Sequence, residues 1–145
     1  GQILDWQQRF STIEIGKGEI KKEGSKIAIL SIGTIGNIIM EAYADIPIKD
    51  KIAHFNMRFV KPLDEDLLHI IFKKFENIIT VEDGTVAGGF GSAVLEFAQQ
   101  HEYKNKRIKV LGIPDQFVEH GNTDELFSSI ELTVSNIKKV LYLWT

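Results

Sequence analysis

Four short strand-like runs alternate with segments of helical period, and this alternation constrains the fold more than any other feature. Ile27-Ala28-Ile29-Leu30-Ser31-Ile32 is an almost unbroken apolar run, the pattern of a strand buried on both faces. Gly33-Thr34 ends it. Ile35, Ile38, Ile39, Ala42, Tyr43 and Ile46 follow at helical spacing, with Thr34 placed as N-cap and Pro47 as the stop. Ile52 to Val60 reads as a second strand with mixed faces. After Pro62, Asp64 is placed to cap a helix whose buried face is Leu67, Leu68, Ile71, Phe72 and Phe75. Asp64, Glu65 and Asp66 put negative charge at its positive end, and Lys73 and Lys74 sit near the other. Leu63 and Leu68 have the spacing of a hydrophobic staple.

Ile78 to Val81 predicts a third strand, running into Glu82-Asp83-Gly84. Gly88-Gly89-Phe90-Gly91 opens the next helix, with Phe90, Ala93, Val94, Phe97 and Ala98 on one face. Ile108 to Ile113 is the fourth strand, ended by Pro114. A short helix is expected after Thr123 and a longer one after Thr133, the latter lined by Val134, Ile137, Leu141 and Trp144. Ahead of all this, residues 1–12 read as a lead-in to a domain spanning 13–145. Ile13, Ile15 and Ile20 around Gly16-Lys17-Gly18 suit a hairpin or edge strand. Strand–helix alternation of this kind implies an open, mainly parallel α/β sheet with helices on both faces. Ligands or partners of such sheets meet the carboxyl ends of the strands.

Composition narrows the function. With 145 residues there is one domain's worth of chain, and the net charge of -3 disfavours both a duplex-binding and a polybasic membrane module. The chain has no cysteine, which excludes a disulfide scaffold, a thiol nucleophile and a thiolate metal site. A cytoplasmic location is expected. No apolar run approaches the roughly 20 residues of a membrane span. The chain does not begin with Met, and the expectation is a piece of something longer.

The familiar catalytic motifs fail. Gly89-Phe90-Gly91 supplies part of a dinucleotide fingerprint, but Val94 stands where the third glycine belongs. No Walker lysine, no HExxH among His54, His69, His101 and His120, and no GxSxG elbow occurs. Two places remain. Glu82 followed by Gly88, Gly89, Gly91 and Ser92 puts carboxylate and free amides at a strand end. Close backbone packing is favoured there over an anion site. Asp115 to Asn122, with Glu119 and His120, has an acid beside a histidine but no positioned nucleophile. A structural or interface role is favoured for it.

Five segments occur in a telling order: Ile15-Gly16-Lys17-Gly18, Arg58-Phe59-Val60-Lys61-Pro62-Leu63-Asp64, Thr80-Val81-Glu82, Gly88-Gly89-Phe90-Gly91-Ser92 and Leu111-Gly112-Ile113-Pro114-Asp115. From Ile13 to Val140 the chain resembles the C-terminal domain of 1-deoxy-D-xylulose 5-phosphate synthases, in the transketolase superfamily. The Lys-Pro-Leu-Asp and glycine-rich segments are shared across that superfamily. The Gly-Lys-Gly opening, the Arg-Phe-Val-Lys lead and the Phe-Val-Glu-His-Gly stretch point to the synthases. The C-terminal domain of a 2-oxo acid dehydrogenase beta subunit and a stand-alone anion-binding regulatory module remain as alternatives.

The resemblance implies a three-layer α/β/α sandwich with a mostly parallel five-stranded sheet. It places one antiparallel edge strand, which we assign to Ile13 to Ile20. It implies a full enzyme that joins pyruvate to glyceraldehyde 3-phosphate with loss of carbon dioxide, feeding isoprenoid, thiamine and pyridoxal synthesis. The chemistry is that of thiamine diphosphate with magnesium. The family's cofactor signature, Gly-Asp-Gly with a later Asn pair, is absent: Asp83-Gly84 follows Glu82, and no Asn-Asn occurs. This chain is therefore expected to be silent alone, holding no cofactor or metal. Its implied partners are the preceding domains and a second copy in a homodimer, with no nucleic acid and no membrane. Glu82, Gly88, Gly89, Gly91, Ser92 and His120 are candidates for an anion or interdomain contact. Trp6, Phe10, Phe117, Phe127 and Trp144 are expected to include exposed or dimer-buried aromatics.

Overall fold

A computed structural model describes residues 12–115, 130 and 132–145. The order is β1 (Glu19–Lys22), β2 (Ile27–Ile32), α1 (Gly36–Ala44), a single 3-10 turn (Lys49–Lys51), β3 (Ile52–Asn56), α2 (Glu65–Lys74), β4 (Asn77–Thr85), α3 (Phe90–Gln100), β5 (Arg107–Ile113) and α4 (Val134–Trp144). The sheet order is β1-β3-β2-β4-β5. β3, β2, β4 and β5 run parallel, and β1 pairs antiparallel with β3 at one edge.

Alternation along the strands sorts the core into two layers. Ala28, Leu30, Ala53, Phe55 and Ile78 face α2 and α3, meeting Leu68, Phe72, Phe90 and Val94. Ile27, Ile29, Ile52, Ile79 and Val81 face α1 and α4, meeting Ile39, Ala42, Ile137 and Leu141. The result is the expected α/β/α sandwich. Each fully buried side chain of this size contributes roughly 1.5–3 kcal/mol. Trp144 packs against the second layer, and the Arg107 guanidinium lies 3.9 Å from its ring centre. Trp6, Phe10, Phe117, Phe127 and the helix expected after Thr123 lie outside the described residues.

Three local expectations are corrected. The edge strand is Glu19–Lys22, not Ile13 to Ile20, because residues 14–18 form a strap across the start of α2. β3 stops at Asn56, not Val60. There the Asn56 Oδ1 accepts the Arg58 amide at 3.1 Å, and Arg58 turns the chain with a φ of 58°. Thr34 does not cap α1: Ile35 holds the N-cap position, and the Thr34 hydroxyl donates to Asp83 at 3.1 Å.

Asp64 does cap α2, and it does more. Its Oδ1 accepts from the Leu67 amide at 3.0 Å, and its Oδ2 accepts from the Gly18 amide at 2.9 Å. One buried carboxylate thus holds both the helix start and the strap. Lys17 reaches Asp66 at 3.0 Å, and Gly16, with φ 75°, abuts Pro62. Leu63 packs on the core layer that contains Leu68. Asp64→Ala is expected to cost about 2 kcal/mol, the upper range for a lost cap, because the Gly18 amide is orphaned as well. Urea denaturation checks this; a loss below about 0.5 kcal/mol would show the strap contact to be idle.

Candidate functional site

The carboxyl ends of β2 and β4 are neighbours, yet their connections leave in opposite directions. β2 leads to α1 on one face and β4 to α3 on the other. This is a topological switch point, where open α/β sheets form a crevice. Thr34 and Asp83 bridge it with the 3.1 Å hydrogen bond already described. Gly33, with φ 80°, lets the β2 end pass beside the Asp83 carboxylate.

β4 carries a bulge here. Val81 pairs with Leu111, but Thr85 pairs with Ile113, so β4 holds two residues more than β5 over this stretch. The distortion aims Glu82 at the start of α3. Its Oε2 accepts from the Phe90 amide and its Oε1 from the Gly91 amide, both at 2.8 Å, and the side chain is 4% exposed. Helix starts leave amides without partners and carry partial positive charge, so a carboxylate is well matched to this position.

The glycines are explained by this packing. A Cβ on Gly89 would collide with the Thr85 carbonyl and with Glu82, and one on Gly91 would press on Val110 and Thr80. Gly88 makes the turn at φ 71°. Ser92 Oγ accepts the Gly88 amide at 3.0 Å and donates to the Val86 carbonyl at 2.7 Å, so the hydroxyl is occupied as a turn brace. The structure therefore brings together Glu82, Gly88, Gly89, Gly91 and Ser92. His120 lies outside the described residues. The Phe90 and Gly91 amides that an anion would need are already held by Glu82.

Sequence reasoning missed three features. Gly112 lets β5 pass the bulge, since a Cβ there would meet Glu82, Val86 and the Gly84 carbonyl. Thr80 Oγ1 is buried without a hydrogen-bond partner beside Gly91. A buried polar chain also lies under α1: Ser31 Oγ is 2.8 Å from His54 Nε2, and Tyr43 Oη is 3.2 Å from His54 Nδ1. Burial, aided by the Lys21 charge, pushes the His54 pKa down to about 4, and burial pushes Tyr43 up. Ser31 interrupting an apolar run was the available signal. Both Ser31 and His54 are closed to solvent, so this pair cannot serve a substrate.

Among the described residues no group of three metal-ligating side chains occurs. Both Glu82 oxygens are spent on amides, and Asp83 holds Thr34. That leaves Asp83 Oδ1 as the one unengaged carboxylate oxygen at the turn, too thin a donor set to hold magnesium by itself. The arrangement fixes the shape of the sheet's carboxyl end.

Residues 16–137 match the family model described as "Transketolase, C-terminal domain". The chain is 50% identical to a 1-deoxy-D-xylulose-5-phosphate synthase from Cytophaga hutchinsonii, covering 97% of this chain and 23% of that protein. Synthases of the same name from Phocaeicola vulgatus and Bacteroides thetaiotaomicron are 46% and 45% identical, again over 97% of this chain and 22% of theirs. The chain thus spans under a quarter of these relatives' length and corresponds to their C-terminal part. Neither the dehydrogenase beta subunit nor the stand-alone module is favoured. In fold, the chain superposes on a split-gene transketolase described as an inactive beta4 tetramer, with a TM-score of 0.80 and 24% identity over 91% of this chain and 43% of that one. A transketolase from Campylobacter jejuni gives 0.59 and 17% over 88% and 18%. The chain belongs to the transketolase C-terminal domain family.

Proposed function

We propose that this chain is the non-catalytic C-terminal domain of a thiamine-diphosphate-dependent 1-deoxy-D-xylulose 5-phosphate synthase. One observation carries the reading: identity of 45–50% over 97% of the chain to three proteins bearing that name. The longer protein would join pyruvate to glyceraldehyde 3-phosphate and release carbon dioxide. Thiamine diphosphate with magnesium would supply the carbanion chemistry from elsewhere in the polypeptide. Among the described residues, those at the β4 turn form no ligand set for it. What they do is hold a rigid surface. Glu82 locks the start of α3, Ser92 braces the turn at Gly88, and the Thr34–Asp83 bond closes the crevice between β2 and β4.

On this reading the glycine turn at the carboxyl end of β4 contacts the preceding domains, and the domain supports a cytoplasmic homodimer. Expected outcome: the longer protein forms 1-deoxy-D-xylulose 5-phosphate with added thiamine diphosphate and magnesium, and this chain alone forms none. Isothermal titration of the chain with the cofactor and magnesium should likewise give no stoichiometric binding. Turnover by the chain itself, or no product from the longer protein, refutes the proposal.

A further inference from the structure

Eight large apolar side chains among the described residues are exposed, and they are not evenly spread. Four of them, Ile13, Ile15, Ile20 and Val60, lie just before or on the strap, on β1 and in the loop after β3. Ile15 is 75% exposed and directly precedes Gly16, whose backbone abuts Pro62; Val60 lies two residues before that proline. Scattered exposed apolar residues need no explanation, but a concentration of them marks an interaction surface.

Exposed residues on a loose segment would mean little. This segment is fastened at four points. Gly18 donates to Asp64 at 2.9 Å, Lys17 pairs with Asp66 at 3.0 Å, Arg58 pairs with Glu19 at 2.7 Å, and Gly16 packs on Pro62. A Cβ on Gly18 would meet Leu67 and the Asn56 carbonyl, so the strap lies hard against the body of the domain. The fold presents these apolar groups on a preorganised frame, which lowers the ordering cost of docking.

The place of this corner indicates what docks there. The relatives are more than four times the length of this chain, and the chain matches their C-terminal part. In them the rest of the protein comes first in sequence, and the strap is the first described part of this domain. The corner also lies at the carboxyl end of β3, the same end of the sheet as the Gly88 turn. We propose that the strap, β1 and the loop 57–63 form the docking face for the part of the longer polypeptide that precedes this domain. The inference rests on the reading of the chain as part of a longer synthase, and it adds the surface and the residues.

The test uses the longer protein. Single Ile15→Cys and Val60→Cys variants are treated with a maleimide, and modification at each site is followed by mass spectrometry, native and unfolded in urea. Both thiols are expected to react at least tenfold more slowly in the native protein than in the unfolded one. An Ile15→Asp/Val60→Asp variant is expected to lose at least tenfold in product formation. Protection below threefold at both sites overturns the docking face. The two readings fail separately. A wild-type longer protein that makes no product defeats the synthase reading, while slow labelling still upholds the docking face. An active wild type with freely labelled thiols defeats the docking face alone.

Discussion

Glu82→Ala is expected to destabilise the domain by about 4 kcal/mol. Two charge-assisted hydrogen bonds disappear, and the Phe90 and Gly91 amides are left without partners. Each orphaned buried group costs about 1–3 kcal/mol. Water cannot readily replace the carboxylate, because Phe90 and Gly91 are buried and Gly112 closes the space behind it. The loss of negative charge at the helix start adds to the penalty. Glu82→Gln should recover about half, since its carbonyl oxygen satisfies one amide while its NH2 group opposes the other. Asp83→Ala is the contrast: Asp83 is exposed, and its loss should cost well under 1 kcal/mol. Urea midpoints of the three variants decide the matter. Equal losses at 82 and 83 would remove Glu82 from its assigned place.

Acid should weaken the domain through His54. Its folded pKa is about 4, against an ordinary value of 6.5. Between those values the unfolded chain binds a proton that the folded chain refuses, so stability falls as pH falls. The contribution is fully present above about pH 6.5 and is lost progressively down to about pH 4. Over the whole window it amounts to about 3 kcal/mol, and about 2 kcal/mol should be gone by pH 5. Lys21 on β1 helps to hold His54 neutral, and Tyr43 on α1 closes the other side. Carboxylates titrate lower, so the stretch from pH 6.5 to 5 is the diagnostic one. Thermal midpoints measured there should fall steeply for the natural chain and little for His54→Gln. Parallel slopes for the two would contradict the assignment.

The alternation of runs made the layers and the parallel sheet legible, because a strand buried on both faces leaves few other choices of sequence. Asp64, Thr133 and the faces of α2, α3 and α4 were equally plain, since capping and period are local properties. Two of the misreadings share one cause: a group finding its partner far along the sequence. Thr34 answers Asp83 instead of its own helix, and residues 14–18 answer Asp64 instead of pairing as a strand. β3 ends early for a local reason, the Asn56 Oδ1 taking the Arg58 amide where Arg58 turns the chain. At the candidate site, the glycines and Glu82 were visible as a group. The bulge that aims Glu82 at α3 was not, because it depends on the register with β5.

The doubly engaged carboxylate of Asp64 also bears on how the domain is made. A ribosome releases the strap long before Asp64, which follows Gly18 by 46 residues. Until the first turn of α2 has formed, the carboxylate has no fixed position from which to grip the Gly18 amide. Fastening the strap therefore comes late in synthesis, after β2, α1 and β3 have emerged.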